Sequence, residues 1–168
     1  MISPHRAREA EIGELLARVE AAAGPDRELD SSIALLCGWT HEVNHAEDYE
    51  CWRNPDGKAC YLPRYTASID AALALVERVL PGWMWRVATC SVSDDAWVCP
   101  DFNHPTHGAE FQARFNDAFD GRDPAEVIIE ATDVDRRPSG QPALAVLQSL
   151  LLAMTILRTL STIRSTHP

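Results

Sequence analysis

The stretch from Ala143 to Leu157, ALAVLQSLLLAMTIL, is the most apolar in the chain, and Gln148 and Ser149 interrupt it. Pro142 suits the first turn of a helix, where its missing N–H costs nothing. In that helix Leu144, Leu147, Leu151 and Met154 form one stripe, with Val146, Leu150 and Leu157 beside it. An arc this wide needs cover on two sides. A sheet can supply one side, and N-terminal helices or a second subunit the other. The run is short for a membrane span. It therefore predicts a core helix, with no membrane as partner and a homo-oligomer through the 142–160 helix as one option.

A chain of 168 residues, 46% hydrophobic, suits a single domain over residues 1–168. The net charge of −10 argues against direct nucleic-acid binding, since phosphate contacts need a basic surface. It leaves room for a basic protein partner. There are five cysteines, an odd count. The opening MISPHRAREAEIGELLARVE is charged and amphipathic and does not read as a secretory signal. Reduced thiols and a cytoplasmic location, in the cytosol of a bacterial host, follow as expectations.

Along the chain, residues 1–7 read as a loose terminus and Glu9–Ala23 as a helix with Ile12, Leu15, Leu16 and Val19 on one face. Asp26 is placed to cap a second helix carrying Leu29, Ile33, Leu36 and Cys37, ended by Gly38; the two helices form an αα-hairpin. Residues 39–61 show no sustained period and predict an irregular loop or insertion. Within it, Asn54-Pro55-Asp56-Gly57 fits a β-turn. Ser68 or Thr66 can cap a third helix with Ile69, Leu73, Val76 and Leu80 on one face, stopped by Pro81-Gly82. Trp83, Trp85 and Val87 then alternate with Met84, Arg86 and Ala88 as a strand, and Ala96–Cys99 predicts its hairpin partner across a Ser93-Asp94-Asp95 turn. Alternation of Phe111, Ala113 and Phe115 predicts a third strand over 110–115. The β-rich EVIIEAT predicts a fourth over 126–132, with 133–140 a polar loop. The class is α+β, an antiparallel sheet of three to four strands layered with helices.

The ordered blocks GPDRELDSSIALLCGW, WRNPDG, LPRYTASIDAALALV, GWMW and QPALAVLQSLLLA resemble the phage ABA-sandwich domain family, small proteins encoded by phages and prophages. The resemblance spans about residues 15 to 158 and is weakest over Thr40–Glu50. It implies an α-β-α sandwich and carries no catalytic motif.

The sharpest chemical motif is His41-Glu42-Val43-Asn44-His45, which matches H-E-x-x-H. On a helix, two His one turn apart bind zinc and the Glu serves as general base, which would make a zinc-dependent hydrolase. The flanks here are polar, not those of a stable helix. A structural zinc on His41, His45, Cys51 and Cys60 is a milder alternative, and Cys99, His104 and His107 are a weaker set. No P-loop, G-x-S-x-G or G-x-G-x-x-G is present. Trp52, Arg53, Arg64 and Tyr65 instead combine flat rings with guanidinium groups. A nucleobase stacks on such rings and a phosphate accepts from such forks. The sequence thus predicts a non-enzymatic phage or prophage accessory protein that binds a small nucleotide-like ligand, as in counter-defence by sequestering a nucleotide signal. An acidic inhibitor that covers a basic surface of a host protein complex is the alternative.

Overall fold

A computed structural model describes residues 4–44, 49–116, 118–135, 137 and 140–166. Among them are helices α1 (Pro4–Ala21), α2 (Arg27–Leu36), α3 (Ile69–Val79), α4 (Gly108–Phe115), α5 (Pro124–Thr132) and α6 (Pro142–Thr166). The strands are β1 (Thr40–Asn44), β2 (Tyr49–Arg53), β3 (Trp83–Thr89), β4 (Asp94–Pro100) and β5 (Val134–Asp135). They form two antiparallel sheets, a β1–β2 hairpin and a three-stranded sheet in the order β3-β4-β5. The protein is α+β, with an N-terminal helix pair and a long C-terminal helix on the sheet.

Helix α6 lies at the centre. Five consecutive residues, Ala143 to Leu147, are buried, so this part of the helix has no solvent face. Ser149, Leu150, Leu151 and Ala153 are buried as well. The helix packs against α1, α3, α5 and β4. Alone, Pro142–Ser161 is long and apolar enough to cross a bilayer; in the fold the sheet and three helices take the place of lipid around its first half. Its one fully buried polar side chain, Ser149, donates to Ala145 O within the helix or to Ala96 O on β4, at 3.1 and 3.0 Å. Gln148 bonds to Arg137 and to Glu20.

Arg137 joins α1 to α6. Its guanidinium donates to the carbonyls of Val19, Glu20 and Ala22, the open end of α1. A cation there satisfies orphan carbonyls and suits the helix dipole. Gln141 adds a bond to Ala23 O at 2.7 Å.

A second junction fixes the loop before α3. Asp26 caps α2 by accepting from the amides of Glu28 and Leu29. Its own N–H donates to the Thr66 hydroxyl at 2.9 Å. One turn on, Asp30 is only 1% exposed. Its carboxylate accepts from Thr66 N–H at 2.7 Å and from Arg27 at 2.9 Å, while Arg27 also donates to the Leu62 and Pro63 carbonyls. The Leu62–Thr66 backbone is thereby tied to the first turns of α2. Ser68 then caps α3 by accepting from Ala71 N–H.

Several expectations need correction. The terminus is helical from Pro4, not loose through residue 7, because Pro at the helix start and the run of good helix formers after it extend α1 upstream. Residues 39–61 are not irregular throughout. Thr40–Asn44 pairs with Tyr49–Arg53, and the Asn54–Gly57 turn returns the chain so that Arg53 bridges Ala59. Both strands are largely exposed, so there was no buried face to print an alternation on the sequence. The two strands predicted at 110–115 and 126–132 are helices α4 and α5. Phe111 and Phe115, spaced by four, fit a helix face as well as a strand face, and they pack with Phe102 and Trp83 in an aromatic cluster. Asp123-Pro124, read as a turn, is a cap and first helical residue, and Ile128 and Thr132 form the buried face of α5. The third strand of the sheet is Val134–Asp135, inside the segment expected to be a polar loop.

Gly82, which stops α3, has φ +80, and a Cβ there would meet His107 at 2.6 Å. The stop signal is also a packing point between the α3–β3 turn and the start of α4.

Asp30→Ala should lower the unfolding free energy by about 3 kcal/mol, since it strands the buried Thr66 N–H. Asp30→Asn, which keeps an acceptor in place, should cost less. Urea denaturation of the three proteins measures both.

Candidate functional site

A concavity of about 780 Å³ opens between the start of α2, strand β2 and the Ala59–Arg64 segment. It brings together Trp52 and Arg64, both expected from the sequence, with Arg27, Tyr61, Cys51 and Cys60. The local reasons are clear. Trp52 sits on β2, and Cys60 N–H donates to Trp52 O at 3.0 Å, which holds the returning segment alongside. The bonds from Arg27 to the Leu62 and Pro63 carbonyls fix the backbone that carries Arg64 into the lining.

Trp52 is half-buried, and His41, its partner across the β1–β2 ladder, stacks on it with ring centroids 4.1 Å apart and planes 8° apart. His41 Nε2 also meets Glu50 Oε1 at 2.9 Å. One indole face is therefore taken by imidazole. Tyr61, 98% exposed, has both ring faces open to solvent. The Arg64 guanidinium is exposed and makes no hydrogen bond or ion pair with any described residue. Arg27, Arg64 and one carboxylate, Glu50, line the groove; Arg27 is already paired with Asp30, which leaves Arg64 as the guanidinium there that meets no described residue.

Two expected residues do not join it. Tyr65 is 3% exposed and belongs to the core. Burial, with the Cys37 thiol nearby, pushes its phenol up to about 12. Arg53 turns to Glu42, at 3.3 Å, and to Gly57 O, and does not line the groove. Arg27 and Tyr61 were the residues missed. Arg27 lies far upstream in sequence and reaches the groove only through the packing of α2. The sequence signal for Tyr61 is an aromatic next to Leu-Pro-Arg.

The H-E-x-x-H residues that are described occupy a strand. Adjacent strand side chains point to opposite faces, so His41 turns to Trp52 and Glu50 while Glu42 turns to Arg53. The helical geometry that sets a zincin motif's ligands on one face is missing from Thr40–Asn44; His45 lies outside the described residues. Cys51 and Cys60 both line the groove, whereas His41 is engaged elsewhere. Among the described residues no group of three or more His, Cys, Asp and Glu side chains has metal-holding geometry. In the weaker set, Cys99 is buried against the Pro100 and Ala125 carbonyls, and His104 Nδ1 accepts from the amides of Thr106 and His107, closing its own turn.

No family model, curated protein or solved structure matches the chain.

Burial pushes the Cys37 and Cys99 thiols up to about 12, so both stay protonated and unreactive near neutrality. Cys60 and Cys90 are exposed. Iodoacetamide labelling at pH 8, read by mass spectrometry, should modify Cys60 and Cys90 first and reach the buried Cys99 only on unfolding.

Proposed function

We propose that the chain is a non-enzymatic phage or prophage accessory protein that binds a small nucleotide-like anion in the Trp52–Arg64 groove, and that it acts in the host cytosol by sequestering a nucleotide signal. The observation that carries this reading is the Arg64 guanidinium, which pairs with no described residue and lines one groove with Trp52, Arg27 and the exposed Tyr61. A phosphate accepts from guanidinium N–H groups, and a base stacks on the exposed ring of Tyr61 with the Trp52 edge beside it. The Arg64 guanidinium supplies the donor for this locally, whatever the net charge. The phage assignment rests on the resemblance of the LPRYTASIDAA and neighbouring blocks, and the counter-defence role rests on that assignment together with the groove.

Isothermal titration against a panel of cyclic and ADP-ribose-type nucleotides tests the reading. Heat is expected with at least one of them. Arg64→Ala should weaken that binding by about 10- to 100-fold, the range for a hydrogen bond to a charged group, and Trp52→Ala by a similar factor for lost stacking. Arg64→Ala should leave the melting temperature unchanged, because the side chain is exposed and without partners among the described residues. Absence of heat across the panel removes the reading.

The charge of −10 favours a second reading, an acidic inhibitor that covers a basic surface on a host protein. Binding of that kind should weaken steeply as ionic strength rises. Salt-independent capture of a protein partner would count against it. The zinc-hydrolase reading has the least support, since His41 and Glu42 lie on a strand and have other partners.

A further inference from the structure

The outer edge of β3 carries a second surface, separate from the groove. Strand β3 lies at one side of the sheet, and among the described residues no strand pairs with its outer edge. The ladder shows which backbone groups face that way. Cys90 N–H donates to Ser93 O at 2.8 Å, and Asp101 N–H to Gly82 O at 3.1 Å. Both pairs continue the β3–β4 register, in which Trp83 faces Pro100 and Thr89 faces Asp94. Hydrogen-bonded and non-hydrogen-bonded pairs alternate along an antiparallel ladder. The even-numbered residues of β3 therefore turn their amides and carbonyls to β4, and Trp85 and Val87 turn theirs outward.

Proteins commonly protect such an edge with Pro, lysine, a bulge or an inward charge. The sequence WMWRVAT has no Pro, and the register of β3 on β4 is regular throughout. Its one charge, Arg86, is on the face opposite Trp85 and is already engaged by Asp95 at 3.3 Å and by the Ser93 hydroxyl at 2.7 Å. Trp85 is 41% exposed although its ladder partner Val98 is in the core. Met84 is also exposed.

We propose that β3 pairs antiparallel with β3 of a second copy of this chain about a two-fold axis at Trp85. Such an axis sets Trp85 against Trp85, Trp83 against Val87 and Met84 against Arg86. Trp85 exchanges both backbone bonds with its counterpart, and Val87 N–H donates to the Trp83 carbonyl of the other copy. Trp83 N–H is not needed, which fits its bond to Leu80 O at 3.1 Å within the chain. An axis at Arg86 would instead place two guanidinium groups face to face, which disfavours that register. The strand has no carboxylate to select a basic peptide, whereas the exposed Trp85 meets its own counterpart on the axis of a second copy. Each copy carries −10, so repulsion opposes pairing and salt relieves it. Association should tighten as ionic strength rises, opposite to the salt dependence of an acidic protein on a basic partner.

Sedimentation velocity over a range of protein and salt concentrations tests this, with Val87→Pro and Trp85→Lys as variants. Val87 N–H is not used inside the monomer, so Pro is tolerated there on an edge strand. The expected result is a dimer that grows with protein and salt in the parent chain. Both variants should be monomeric where the parent is mostly dimer, with unchanged circular dichroism. Backbone exchange on the parent gives a reading that does not depend on either variant folding: the Trp85 and Val87 amides should slow as protein concentration rises. A parent that stays monomeric throughout, a dimer that survives in either folded variant, or exchange at these amides indifferent to concentration overturns the proposal.

Discussion

The fold depends on enclosing a helix that has no polar face over its first turns. With Ala143 to Leu147 all buried, α6 cannot rest on a surface, and something must pack on every side of it. Strand β4, α5, α1 and α3 do so. The remaining elements follow from holding those four in place. Arg137 and Gln141 bind the end of α1 to the start of α6. Ser149 bridges α6 to the carbonyl row of β4. Thr132 accepts from Val98 N–H and returns its own hydrogen to a nearby carbonyl, so a side chain continues the edge of β4 where β5 has ended.

The Asp30–Thr66–Arg27 junction connects this core to the groove. A carboxylate buried to 1% exposure is tolerable when its oxygens are met by donors, and here a backbone N–H and a guanidinium supply them. Because Arg27 also holds the Leu62 and Pro63 carbonyls, the loop that presents Arg64 is fixed by α2 and not by its own sequence neighbours. The groove is thus built on a rigid support, while the side chains that would meet a ligand, Arg64 and Tyr61, remain exposed.

The readable part of the site was local. Trp52 and Arg64 were expected because rings and guanidiniums cluster between residues 52 and 65, and the groove holds both. Tyr65 and Arg53 are adjacent to them in sequence, yet one faces the core and the other faces Glu42. Composition reports which chemistries are near one another and not the direction each side chain takes. Arg27 was missed because it joins through packing between distant segments. The H-E-x-x-H match shows the same limit from the other side, since its meaning depends on a helical spacing that Thr40–Asn44 does not adopt.

The sequence by itself determined those features whose causes lie within a few residues. These are the caps at Asp26 and Ser68, the stop at Gly82, the turn at Asn54–Gly57, the period of β3, and the two-sided burial of α6 that its wide apolar arc requires. Tertiary structure alone decided between helix and strand for 108–115 and 124–132. Residues spaced by four share a face in either conformation over so short a run, and the neighbours that reward the helix, Trp83, Phe102 and the α6 core, come from elsewhere in the chain. It also decided that Val134–Asp135 completes the sheet, because two residues carry no periodicity and strand only by pairing with Asp95 and Ala96.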